Sequence, residues 1–184
     1  MRYPKSETAE KHQRILIEAS RLFREKGFNG VTVSQIMQAT GLTHGPFYNH
    51  FKSKESLMAA CIEYAAKESL QEMGEHSDSP ESMVEYVQRF LSIEHRDSPG
   101  TGCLMSALGG EVRNEVSTQK HFSHYLLGVI EMMSNHFPWA AEQDARGDSI
   151  RMLSSMVGAM VLARAVDDDE LSEEILGEVR SAYR

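Results

Sequence analysis

Between Val31 and Leu57 the chain reads VTVSQIMQATGLTHGPFYNHFKSKESL, and this stretch leaves few folds open. Thr32-Val33-Ser34-Gln35 is a capping box: the Thr32 hydroxyl accepts the Gln35 amide while the Gln35 side chain reaches back, so a helix starts at Val33. Val31 and Ile36 occupy the staple positions around that cap, which fixes the angle at which the chain enters the helix. Gly41 follows Thr40 at the place where a left-handed residue ends a helix, a conformation that costs glycine nothing. Leu42 then turns inward and Thr43 caps a second helix. The first turn of that helix holds His44, Gly45 and Pro46, where a proline's missing N–H has no helical partner to lose. Two short helices joined by a glycine turn predict a helix-turn-helix, whose second helix enters the major groove of DNA.

The flanking sequence supplies a cover for this unit. From about Thr8 to Lys26, Ile15, Ala19, Leu22 and Phe23 fall on one helical face, and Gly27 stops the helix. Phe23, Phe28, Val33, Ile36, Leu42, Phe47 and Phe51 are thus expected to form one three-helix core. With Phe47 and Phe51 spaced i, i+4 and pointing in, Thr43, His44, Pro46 and Asn49 project toward the groove. There Asn can bond an adenine edge and Thr can meet a thymine methyl. Gly45 permits close backbone approach, and Tyr48 and His50 can donate to phosphate oxygens. Lys54 adds its charge to a helix N-terminus, and Thr32 stands at another.

Gly41-Leu42-Thr43-x-Gly45-x-Phe47-Tyr48-x-His50-Phe51-x-Ser53-Lys54-x-x-Leu57 resembles the signature of the TetR family of transcriptional regulators. The likeness continues upstream through Ile15, Ala19, Phe23, Gly27 and Phe28 and covers about the first third of the chain. It implies that Thr32, Thr43, Gly45, Tyr48, His50 and Lys54 hold the DNA backbone, and that His44, Pro46 and Asn49 carry base specificity. Met37 departs from the pattern, since a small residue is usual at that closest helix contact.

Charge is divided along the chain. Residues 1–56 carry nine Lys/Arg against five Asp/Glu, whereas residues 57–184 carry ten against twenty-two. A basic head on an acidic body presents its phosphate-facing surface at one end. No apolar run is long enough to span a membrane, and a polar start without a leader predicts a cytoplasmic protein. Two cysteines, Cys61 and Cys103, are too few for a disulfide framework and lack zinc spacing. Phosphate loops, HExxH and a Ser-His-Asp order with strand context are missing, so neither an enzyme nor a cofactor is expected.

Beyond Ser53, which caps a connector helix from Lys54 to about Met73, helical stripes continue to the end of the chain. Ser79-Pro80-Glu81 starts another helix that buries Met83, Tyr86, Val87, Phe90 and Leu91. Arg96 to Gly102 reads as a loop, and Cys103 to about Leu108 as a short helix broken at Gly109-Gly110. Helices follow from about Ser117 to His136, with Trp139 just beyond, and from about Asp148 to Ala165. A last one starts near Asp169. The 148–165 helix is apolar on two sides and must bury both.

The expectation is an all-α chain of about nine helices: a DNA-binding domain at 1–53, and an effector-binding and dimerisation domain at 54–184. Tyr86, Phe90, Cys103, Tyr125, Met133 and Met156 are candidates for an effector pocket. Leu153, Met156, Val157, Met160, Val161, Leu171, Ile175 and Val179 are candidates for a two-fold homodimer interface. The partners expected are a palindromic operator in double-stranded DNA, a second copy of the chain and a small-molecule effector, with no membrane. Cys103 follows a glycine-rich loop at a helix N-terminus, where a thiolate would be stabilised, and so offers an alternative electrophile or redox response. His121 and His124 share a helical face, but without a second close ligand pair no metal site is expected.

Overall fold

The structure, a computed structural model, describes residues 5–43, 47–74, 79–140 and 144–183. These form α1 (Lys5–Lys26), α2 (Val33–Ala39), α3 (Phe47–His50), α4 (Lys54–Gly74) and α5 (Pro80–Phe90), then α6 (Ile93–Asp97), α7 (Leu104–Val112), α8 (Val116–His136), α9 (Ala145–Ala165) and α10 (Asp169–Ser181). The described residues are all-helical or irregular, with no strand among them. No helix is long and apolar enough to cross a membrane.

The caps read from sequence are in place. Thr32 Oγ1 accepts the Gln35 amide at 3.2 Å, and Gln35 Oε1 accepts the Thr32 amide at 2.8 Å. Gly41, at φ +68°, ends α2, and the Leu42 amide reaches back to the Met37 carbonyl at 3.0 Å. Ser79 caps α5 with Pro80 in its first turn; α10 begins where expected, and its cap proves to be Asp168, which was not singled out from sequence. Such a cap contributes roughly 1 kcal/mol.

Three local readings differ. Ile93–Asp97 is a short helix begun by Ser92, whose hydroxyl accepts the His95 amide at 3.1 Å, so the loop starts only after it. Gly109 and Gly110 do not break α7, which runs through them to Val112. Phe122 lies beside Gly109, 3.6 Å from where a Cβ would stand, so tertiary packing offsets the helix-weakening effect of glycine. Met37, large where a small residue was expected, is fully buried in the head core.

Packing joins helices distant in the chain as well as neighbours. α4 lies along α8 and α1, α8 along α9, and α9 along α10, while α7 touches α1, α8 and α9. Phe23, Phe28, Ile36, Phe47 and Phe51 are buried together, with Val33 and Leu42 half-buried against them. Each such aromatic contributes on the order of 1.5–3 kcal/mol by leaving water. The same apolar cluster continues without a gap through α4 into the body.

Candidate nucleic-acid interface and ligand cavity

α3 is positioned from beneath. Phe47 and Phe51 stand 6.0 Å apart between ring centroids and face the core, and this rotates Tyr48 and Asn49 to the outside. Tyr48 is 63% exposed, and Thr43 and Thr32 are also exposed. His44, Gly45 and Pro46 lie outside the described residues. His50 is half-buried beside His12 of α1, at 5.9 Å between ring centroids, and His12 stacks on Phe51 at 4.5 Å. Burial, with His12 and then Lys11 nearby, lowers the His50 pKa below its ordinary value of 6.5. Sequence reasoning missed His12, because only the packing of α1 on α3 brings it there.

Lys54 is turned differently from the expectation. Its ammonium donates to the Phe28 carbonyl and lies 5.9 Å from the Phe23 ring, so in this conformation it ties α4 to the α1–α2 turn. The other half of the Phe28 peptide is also held: its N–H donates to Glu111 Oε2 of α7 at 2.8 Å.

A cavity of about 230 Å³ opens between α1, α4, α5, α6, α8, the start of α7 and the loop before it. Of the six residues expected there, Tyr86, Phe90, Cys103 and Tyr125 line it, and Met133 and Met156 do not. Both methionines are fully buried in the core. Met133 lies one turn past Val129 on α8, which carries it beyond the end of the cavity. The polar part of the wall adds Arg24, Glu68, Ser69, Glu72, Arg89, His95 and Thr101, none of them singled out from sequence. Ser69 and Tyr125 share a hydroxyl hydrogen bond of 3.0 Å. His95 spans the wall, with Nδ1 2.6 Å from the Phe90 carbonyl and Nε2 accepting the Cys103 amide at 2.9 Å. Its pKa is lowered, chiefly by burial.

Cys103 is the N-cap residue of α7, as expected, yet burial pushes its thiol above the ordinary 9.0. Backbone hydrogen bonding at Ser106 and Met105 opposes that shift without cancelling it. His121 Nδ1 lies 2.8 Å from Glu63 Oε1, while Glu111 is engaged at Phe28.

Along α9 the two apolar sides have different fates. Leu153, Met156 and Met160, expected at a homodimer interface, are instead buried within the protomer, because α9 packs between α8 and α10. The opposite side leaves Ile150, Val161 and Leu162 at 40%, 44% and 57% exposure, beside Leu171 of α10 at 42%. Val157, Ile175 and Val179 are half-buried.

Comparison with known proteins agrees with this geometry. The family profile described as bacterial regulatory proteins, tetR family, matches residues 15–61. YerO of Bacillus subtilis, an uncharacterized HTH-type transcriptional regulator, is 42% identical over 64 residues, which are 35% of this chain and 22% of that protein. NemR of Escherichia coli, an HTH-type transcriptional repressor, is 28% identical over 105 residues, 54% of this chain and 53% of its own length. The chain therefore spans less than two thirds of either relative. The crystal structure of reduced NemR superposes with a TM-score of 0.80 at 20% identity, covering 95% of both chains. A TetR-family regulator from Agrobacterium tumefaciens gives 0.78 at 18% identity, covering 95% of this chain and 98% of the other. The head is thus similar in sequence to the tetR-family profile over residues 15–61, and the chain along its length shares the fold of these solved regulators.

Proposed function

We propose that this chain is a DNA-binding transcriptional repressor that acts as a homodimer and leaves a palindromic operator when a small effector enters the cavity. The observation that carries the reading is α3, which buries Phe47 and Phe51 and turns Tyr48 and Asn49 outward within the segment matched to the family. Thr32, Thr43, Gly45, Tyr48, His50 and Lys54 would hold phosphates, and His44, Pro46 and Asn49 would meet base edges. The exposed side of α9, joined by Leu171, supports pairing with a second copy. Two heads would then read two half-sites. α4 links the head at 1–53 to the body and borders the cavity through Ala65, Ser69 and Met73. A ligand there must bind the two states with different affinity to shift them.

Selection of the purified chain against random duplexes tests the reading. A two-fold symmetric site is expected, with affinity falling about a thousandfold or more between roughly 50 and 200 mM salt. Binding that ignores salt, or no enrichment of any duplex, sinks it.

A second reading, a thiol-responsive regulator, is favoured by Cys103, which stands in the cavity wall. The relative solved as "reduced form" is consistent with it. Cys103→Ser would then abolish the response to an electrophile and leave DNA affinity unchanged. A retained response rejects this reading.

A further inference from the structure

One positive charge in the cavity wall has no carboxylate to balance it. Arg24, on α1, donates from Nη1 to the Gly102 carbonyl at 2.9 Å and from Nε to the Ser20 carbonyl at 3.2 Å. Among the described residues its hydrogen-bond partners are these two carbonyls, and no carboxylate pairs with it. Of the other charges in the wall, two pair with each other and one carboxylate sits exposed at the rim. Arg89 Nη2 lies 3.0 Å from Glu72 Oε1, and Glu68, exposed at the rim, accepts the Tyr64 hydroxyl.

Any molecule that fills the cavity strips water from Arg24. A neutral body would leave a dehydrated guanidinium short of partners, which is costly, and a cation would add repulsion. A carboxylate replaces the lost water with charge-assisted hydrogen bonds in the planar geometry that a guanidinium favours. Ser69 and Tyr125 offer further hydroxyls, while Tyr86, Phe90 and Val129 give an apolar wall. The volume of about 230 Å³ lies below the roughly 300–1,000 Å³ of drug-sized sites, so the occupant is small.

We propose that the cavity takes a small carboxylate with an aromatic or aliphatic body, its acid on Arg24 and its body against Phe90, Tyr86 and Val129. This rests on the reading of the cavity as the effector site. Arg24 belongs to the first helix of the DNA-binding head, and its present partner Gly102 lies in the loop before α7. A ligand carboxylate therefore draws on the same guanidinium that ties the head to the cavity loop.

The test is calorimetric titration of the full chain with two matched pairs: 3-phenylpropanoate against 3-phenylpropanamide, and octanoate against octanamide. Each pair is run on the wild type, Arg24→Lys, Arg24→Gln and the cavity-filling Val129→Trp. The wild type should prefer the acids by about tenfold to a hundredfold, the effect of one charge-assisted hydrogen-bonded pair. Arg24→Gln should erase the preference, Arg24→Lys should keep part of it, and Val129→Trp should remove binding altogether. If Arg24→Gln does not fold, the wild-type ratio and Arg24→Lys decide. Acids and amides that bind alike, both blocked by Val129→Trp, overturn the carboxylate assignment and leave the effector site standing. No binding by any probe to a wild-type chain that still binds its duplex overturns both.

Discussion

His95 joins three parts of the body, two through its ring and one through its backbone carbonyl. Its Nδ1 meets the end of α5 at Phe90, its Nε2 accepts the first amide of the α7 segment at Cys103, and its own carbonyl accepts Arg164 Nη2 of α9 at 2.7 Å. The ring is therefore neutral, with the proton on Nδ1, because a protonated Nε2 would point a donor at a donor. Since its folded pKa lies below the ordinary 6.5, the unfolded chain takes up the proton first as pH falls. The stability that His95 contributes is full above about pH 6.5 and declines from there down to its lower folded pKa. Thermal unfolding from pH 7.5 to 5.5 should show a smaller drop in Tm for His95→Gln than for the wild type; equal slopes would rule this role out. Nothing in the sequence marked His95, whose partners are brought round by the turn between α6 and α7. Arg24 escaped notice for the same reason, as a polar flank of an amphipathic helix.

At the scale of elements, the boundaries were legible where a side chain caps its own helix. Thr32 and Ser79 act over three or four residues, so their geometry is local and the structure repeats it. The junction of α1 with α7 is different. Gly27 ends α1 at φ +77°, and a Cβ there would stand 2.3 Å from Glu111 Oε1. Local sequence calls for glycine through the backbone angle, while on separate grounds a side chain there would push the Glu111 carboxylate of α7 off its hydrogen bond to Phe28. Gly27→Ala should cost on the order of 1–3 kcal/mol. Adding Glu111→Ala should return part of that loss, less the hydrogen bond to Phe28, so the two changes are non-additive in denaturant titrations. Strict additivity would separate α7 from the head. The glycines within α7 mark the opposite case, in which packing beside Phe122 overrode a local breaker.

For the whole molecule, the surface on which the proposed pairing rests is the outer side of α9. Leu162→Glu should yield a folded monomer of unchanged helicity that no longer holds a duplex tightly. Met160→Ala, inside the protomer, should lower stability by about 2–5 kcal/mol and leave assembly intact. Sedimentation with circular dichroism checks both, and a Leu162→Glu chain that remains dimeric would move the interface elsewhere.

Periodicity alone established that α9 carries apolar residues on two sides, because side-chain type and spacing are properties of the chain. It also established the helix-turn-helix, whose caps, glycine turn and paired phenylalanines are contacts between near neighbours. Which side of α9 faces inward was decided by α8 and α10. Which aromatics line a cavity, and that Arg24 reaches its wall, were decided by where six helices and a loop converge. Local patterns fix local geometry, whereas a cavity is the space that distant segments leave between them. No single segment encodes that space.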